Sequence, residues 1–440
     1  MSSVALPMHE RQSRASSATG ARRDRRAPWM RPYWPIDFLL VGFPIWFITG
    51  LSGIIFVLLA IPLAIRLVLA RRVRVPNGTG WYVAFLAWVL LSGVNLPKVT
   101  NLVFFGWRFA TYAAVLVYLL AIYNASEEEL STERVTRGLS ILWVATIAGG
   151  FLAISFPYFN FSSPMEFVLP NIFTSNDFIF LFVHPQLADV QEILGNVPRP
   201  AAPFVYTNNW GSSITLLLPF VLLRANLIGT AAIRRTVVIL GLLALVPFIY
   251  SLNRSAWLTV GLMAVVAIIT ASPRARARAI VGVVATGLAV GALILYTPLG
   301  GVVTTRLETG HSNETREDLA AQSVEVTNES PLIGYGRPLP NLRFPLRSEI
   351  GTQGFLWTLM VGQGWVGLGL FALWFLGAAA RAWWGRRRPE ARFALMIIAG
   401  FALQLPFYDM IPYQLTFLGI AIALERRSAW ARSVPARTPA

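Results

Sequence analysis

Residues 354–380 read GFLWTLMVGQGWVGLGLFALWFLGAAA and contain no charged side chain. A helix crosses the hydrocarbon part of a bilayer with about 20 predominantly apolar residues, so this stretch is long enough to span one. Arg381 follows it directly, as basic residues do at the cytoplasmic end of a span. The stretch therefore predicts a transmembrane helix and decides the fold class of the chain.

The rest of the chain has the same character. Its 440 residues are 55% hydrophobic and 13% charged, with a mean hydropathy of +0.58, which excludes a soluble two-domain enzyme. Further apolar stretches lie at 34–50, 51–70, 80–96, 102–123, 139–157, 210–223, 237–252, 256–271, 279–299, 393–407 and 411–424. The sequence predicts an all-α polytopic membrane protein with about twelve transmembrane helices.

The positions of the basic residues test this threading independently of hydropathy. With the N-terminus inside, the predicted inner segments carry a net charge of +19 and the outer segments −3, within a total of +16. Basic residues are retained on the cytoplasmic side of membrane proteins. Both termini are therefore predicted to be cytoplasmic, and the positive charge requires no nucleic-acid partner.

The threading divides the chain into seven parts. Residues 1–33 form a disordered basic cytoplasmic tail, 34–157 hold transmembrane helices 1–5, and 158–209 form the first extracytoplasmic loop. Residues 210–299 hold helices 6–9, 300–353 form a large, partly helical extracytoplasmic loop, 354–424 hold helices 10–12, and 425–440 form a cytoplasmic tail. Two long outer loops are unusual in a compact bundle and indicate a functional region outside the membrane.

No cofactor or metal is predicted. The chain has no cysteine and three histidines, which excludes cysteine nucleophiles and argues against a histidine-based metal site. Gly362-Gln-Gly364-Trp-Val-Gly367 matches a dinucleotide fingerprint, but no strand precedes it and it lies within an apolar stretch. We interpret these glycines as a close approach between helices.

Arginines that lie against the inside bias are the candidates for chemistry. Arg254 opens a span within Tyr250-Ser-Leu-Asn-Arg-Ser-Ala-Trp257 and is either an interface anchor or an anion ligand. Arg316 lies on a predicted helix. It is either an anion ligand or one exposed residue of a solvated amphipathic helix. Arg108 lies about two turns inside the fourth span, where it either snorkels outward or faces a wet cavity. Asp409, between the last two spans, is either a helix cap or a cavity acid.

The order of these motifs resembles the O-antigen ligase and polymerase superfamily of membrane glycosyltransferases. The Arg254 segment opens a span, a large outer loop carries Arg316, and Pro331-Leu-Ile-Gly-Tyr-Gly336 follows. The next span is entered through Gly351-Thr-Gln-Gly-Phe-Leu-Trp357. The resemblance covers residues 209–380 by motif and the remainder by helix count.

The resemblance implies that a glycan is transferred from undecaprenyl diphosphate to a glycan or lipid acceptor, with inversion, without a metal, and on the outer face of a bacterial plasma membrane. Arg254 and Arg316 would grip the diphosphate, because without a metal the leaving group needs arginines. Arg108, Arg337, Arg347 and Glu349 would help to bind substrate. The partners implied are the lipid-linked donor, the acceptor and membrane lipids.

One position departs from the family pattern. Family ligases carry a histidine and an asparagine where this chain reads Thr352-Gln353-Gly354. Glutamine cannot act as a base, so Gln353 is predicted to orient the acceptor hydroxyl, or else to cap a helix. The proton would then pass to Glu349, His311, Asp318 or solvent. The alternatives to an enzyme are a transporter or flippase for a lipid-linked glycan, and an inactive scaffold.

Overall fold

The computed structural model describes residues 31–96, 98, 101–191, 196–297, 300–301, 311–341 and 349–433. The predicted N-terminal tail falls outside this part of the chain up to residue 30, and so does Arg347. The described chain is mostly helical, with one two-stranded sheet.

The first half contains helices α1 to α9 and the two strands. The helices are α1 (Trp34–Val41), α2 (Phe43–Ile48), α3 (Ile55–Leu69), α4 (Thr79–Ser92), α5 (Asn101–Asn124), α6 (Thr132–Ser155), α7 (Pro164–Val168), α8 (Asn171–Thr174) and α9 (Asp177–Val183). A short 3-10 turn at Gly93–Asn95 extends α4. Strands β1 (Ala188–Val190) and β2 (Pro198–Pro200) pair antiparallel, with Asp189 opposite Arg199.

The second half contains the remaining helices. They are α10 (Thr207–Ile228), α11 (Ala231–Tyr250), α12 (Arg254–Thr270), α13 (Pro273–Tyr296), α14 (His311–Glu329), α15 (Phe355–Trp384), α16 (Pro389–Gln404) and α17 (Tyr413–Ser433). The helix predicted around Arg316 is thus present as α14.

A helix lies on each of the twelve apolar stretches. Six helices in the described part are long and apolar enough to cross a membrane by length and composition: α5, α6, α10, α11, α13 and α15. Helices α3, α4 and α12 are apolar but shorter. The protein is therefore a membrane protein with at least these candidate spans, whereas the number twelve stays a prediction.

Three ion pairs join residues that the sequence places on the cytoplasmic side. Arg134 on α6 donates from Nε to Asp37 at 3.0 Å, and Arg66 at the end of α3 pairs with Glu129 at 2.6 Å. Arg388 before α16 pairs with Glu425 on α17 at 2.6 Å. Asp37, Glu129 and Glu425 are thus each partnered by an arginine that the sequence places on the cytoplasmic side.

A break in α15 ties the large loop to the bundle. Gly364 has φ 67° and ψ −173° inside the helix, a conformation that is essentially restricted to glycine. The turn Pro331–Gly336 lies against this break, where Trp365 N donates to Pro331 O at 2.8 Å and Tyr335 N donates to Val361 O at 2.9 Å. A Cβ on Gly364 would lie 2.6 Å from two carbonyl oxygens of the turn. At Gly364 the close approach that we predicted between helices is instead an approach between a loop and a broken helix.

Helix α14 packs over the same region. Leu319 forms a small apolar cluster with Ile350 and Val361, and all three are buried. Leu339 and Ile350 exchange backbone hydrogen bonds at 3.1 and 2.8 Å, which brings the two ends of segment 340–349 together. The large loop is thereby held over the N-terminal end of α15.

Candidate functional site

The segment Tyr250–Trp257 forms the turn between α11 and α12. Leu252 has a positive φ of 52°, and the helix α12 begins at Arg254. Asn253 is buried against α10, where its Nδ2 donates to Thr207 O at 3.5 Å and a Cβ on Gly211 would lie 2.1 Å from the same nitrogen. Asparagine and glycine thus allow the turn to seat on α10, and this seating directs Arg254 toward the large loop.

Three arginines from distant segments, Arg199, Arg254 and Arg316, lie close together, and we call this group the arginine cluster. Arg316 on α14 lies close to both Arg254 and Tyr408. Arg199 on β2 also lies close to Tyr408 and Arg316, and its Nε donates to Ser251 O at 3.1 Å. The side chain of Tyr408 is buried and faces Ser255 and the backbone amide of Ala256.

The arginine cluster concentrates positive charge in a partly buried place, and this changes the pKa values of its members. Burial lowers the pKa of Arg316, and the neighbouring Arg254 lowers it further. Burial likewise lowers the pKa of Arg199, while Asp189, 3.3 Å away, acts in the opposite direction. Burial raises the pKa of Tyr408 to about 12, so its hydroxyl remains a neutral donor. An anion bound here would relieve the repulsion between like charges.

A cavity of about 570 Å³, lined by both polar and aromatic side chains, lies next to the cluster. Its lining combines residues from α5, the start of α10, the large loop and the connection before α17, among them Arg108, Asn209, Arg337, Glu349, Gln353 and Asp409. Four of these are residues that the sequence predicted for the site. The predicted site residues therefore fall into two groups. One group lines the cavity, and the other, Arg254 and Arg316, belongs to the arginine cluster.

Two guanidinium groups in the cavity wall have spare hydrogen-bonding capacity. The Nε atoms of Arg108 and Arg337 are buried, and neither has a hydrogen-bond partner within the described part of the chain. Buried donors of this kind are normally satisfied. Arg108 and Arg337, both in the cavity lining, therefore each carry one buried donor that no group in the described part of the chain satisfies.

The start of α15 joins the cavity to the arginine cluster. Phe355 N donates to Tyr408 O at 2.8 Å, and Trp357 Nε1 donates to Pro406 O at 2.9 Å. Gln353, just before the helix, is held beside the 405–409 connection by these bonds. Tyr408 faces the arginine cluster and the next residue, Asp409, lines the cavity.

Of the two roles that the sequence left open for Asp409, a helix cap or a cavity acid, it does not play the first: it does not cap α17. The helix begins at Tyr413, and Oδ1 of Asp409 accepts a long 3.5 Å bond from Ile411 N in the turn before it. The carboxylate lies in the cavity wall close to Arg108. Burial raises the pKa of Asp409 to about 6, while Arg108 and the amides of Ile411 and Met410 lower it.

The remaining predicted residues take different places. Glu349 is exposed at the cavity rim, where its carbonyl accepts from Thr352 Oγ1 at 2.7 Å. Asp318 is exposed on α14, the side chain of His311 lies outside the described part, and so does Arg347. Arg199 and Tyr408 were not predicted. Arg199 carried a weak signal as an arginine in a predicted outer loop, and Tyr408 carried none.

Residues 238–358 match the family model described as O-antigen ligase. The matched region contains Arg254, Arg316 and Arg337, and the resemblance to the O-antigen ligase superfamily is confirmed over it. No curated protein matches the chain.

Proposed function

Since residues 238–358 are similar to O-antigen ligases, we propose that this protein is a membrane glycosyltransferase that ligates or polymerises a glycan carried on undecaprenyl diphosphate. It would act on the outer face of a bacterial plasma membrane, with about twelve spans and cytoplasmic termini. The acceptor is a glycan or a lipid.

The observation that carries the proposal is the convergence of Arg254 and Arg316, with Arg199 as a third cation. A glycosyl diphosphate places two phosphates at the membrane surface, and negative charge grows on the bridging oxygen as the glycosidic bond breaks. Arginines compensate this charge in pairs of short hydrogen bonds, without proton transfer. The cluster has the charge and the partial burial that this role needs.

The cavity is the binding site that we propose for the acceptor. The acceptor would enter it, with Arg108 and Arg337 binding its polar groups and Glu349 at the rim. Gln353 would hold the attacking hydroxyl by its amide, since it lies beside the connection that carries Tyr408. In this arrangement the acceptor attacks from the cavity and the diphosphate leaves toward the arginines, which gives inversion at the anomeric carbon.

The test is to replace Arg254 and Arg316 by alanine, one at a time, in a deletion strain complemented with the gene. Each change is expected to lower surface glycan and to accumulate the lipid-linked precursor, since a charged hydrogen bond contributes about 1.5–3 kcal/mol, or roughly 10- to 150-fold. Arg278→Ala, an exposed arginine at the other end of α13, is the matched control. Normal glycan without precursor in both variants would refute the proposal.

A second measurement separates transfer from transport. Purified protein in vesicles is given the precursor that the deletion strain accumulates, and both glycosidic bond formation and movement of the lipid across the bilayer are followed. We expect bond formation. Movement of the lipid without bond formation would assign the protein as a flippase.

A further inference from the structure

The chemistry proposed above leaves one proton without a destination. The acceptor hydroxyl loses a proton as it attacks, and the amide of Gln353 cannot take that proton because a neutral amide is not a base. A carboxylate in the same cavity could do so. Two acidic residues among the described lining fit by position, namely Glu349 and Asp409.

Asp409 is the better placed of the two. It directly follows Tyr408, whose side chain contacts the arginine cluster, and consecutive Cα atoms are about 3.8 Å apart. The arginine cluster and the cavity therefore adjoin at this connection, the cluster at Tyr408 and the cavity at Asp409. A glycosyl group bound between them would have its leaving phosphate toward Arg316 and its open face toward Asp409. Glu349 lies at the exposed rim, farther along the large loop.

We propose that the Asp409 carboxylate is the general base that deprotonates the acceptor hydroxyl. This proposal rests on the proposed function, glycosyl transfer. The acceptor oxygen forms a bond to the anomeric carbon, and its proton passes to Asp409. The bond from the anomeric carbon to the phosphate oxygen breaks, and its electron pair leaves with the diphosphate. The arginine cluster stabilises that departing charge.

The surroundings of Asp409 suit a base that works near neutral pH. The groups close to it are Arg108 and Tyr112 on α5 and Tyr206 before α10. Arg337 and Glu349 on the large loop line the same cavity. Burial sets its pKa at about 6, with Arg108 acting in the opposite direction. The carboxylate is then ionised at neutral pH and still basic enough to accept a proton in the transition state.

The proposal is tested on purified full-length protein in nanodiscs, with the accumulated precursor as donor. Asp409→Asn should lower the single-turnover rate of transfer about 10²- to 10⁴-fold, while binding of undecaprenyl diphosphate stays within about twofold of wild type because the cluster is intact. The wild-type rate should fall about tenfold per pH unit below pH 6, and this limb should be absent from Asp409→Asn. Glu325→Gln, an exposed acid on α14, is the matched control.

A structural role is distinguished by chemical rescue. Asp409→Ala should recover transfer when formate is added, and Asp409→Glu should keep a measurable rate, since both restore a carboxylate. Near-normal transfer by Asp409→Asn, the same acidic limb in that variant, or no rescue by formate would each overturn the assignment. If Glu349→Gln instead abolishes transfer, the base is Glu349. If Arg316→Ala loses transfer while Asp409→Asn stays active, only the assignment of Asp409 as the base is overturned. If Arg316→Ala stays active, the proposed function itself is overturned.

Discussion

The broken helix offers the sharpest test of how the large loop is held. Replacing Gly364 by alanine puts a Cβ 2.6 Å from the carbonyl oxygens of Pro331 and Leu332 and keeps a backbone conformation that alanine rarely adopts. The conformation costs about 1–3 kcal/mol, and displacement of the turn weakens the 2.8 Å bond from Trp365 N, which contributes about 0.5–1.5 kcal/mol. The expected loss is about 2–4 kcal/mol of unfolding free energy.

The assay is thermal unfolding of the purified protein in one detergent. With an unfolding entropy of ~2 cal/mol/K per residue, the midpoint should fall by about 2–4 °C. Gly362→Ala is the matched control, because a Cβ there meets nothing within 4 Å, and it should stay within about 0.5 kcal/mol of wild type. Equal midpoints for the two variants would refute the argument that the turn is seated by Gly364. Surface glycan should fall in Gly364→Ala as well, because the same turn leads into Arg337.

Two further outcomes are expected. Arg199→Ala should raise the donor concentration for half-maximal transfer about tenfold or more, because it removes one charged contact of the cluster, and an unchanged donor dependence would exclude Arg199 from the site. Gln404→Leu should cost about 1–3 kcal/mol, because the fully buried Gln404 accepts from Ser212 and donates to Thr215 and Thr259 at 3.0 and 2.9 Å. Thermal unfolding checks this, and a wild-type midpoint would contradict it.

Much of the fold could be read from the sequence because hydropathy and charge report directly on the bilayer. Each apolar stretch became a helix, and Arg254 and Arg316 stood out because they lie against the charge bias. The break at Gly364 could not be read in the same way. The residues around it are apolar whether the backbone is helical or not, so a window of hydropathy averages over it.

The site was only partly predictable for a related reason. The sequence identified four residues one by one that line the cavity: Arg108, Arg337, Glu349 and Gln353. Their order along the chain does not show that they share a cavity, or that Arg254 and Arg316 lie outside it. That division depends on the connection before α17, where Tyr408 and its neighbour face different ways. Long-range packing between α12, α15 and this connection creates the division, and no local pattern encodes it.

Helix α13 has a practical consequence for anyone who purifies the protein. None of its residues, all of which the structure describes, is buried, and Val281, Leu288 and Tyr296 are 68%, 70% and 85% exposed. The rest of the protein therefore contributes little to keeping it in place, and the surrounding lipid must do so. Solubilisation should loosen this helix first. A fluorophore on α13 would thus report whether a given detergent or nanodisc preserves the native molecule before any activity is measured.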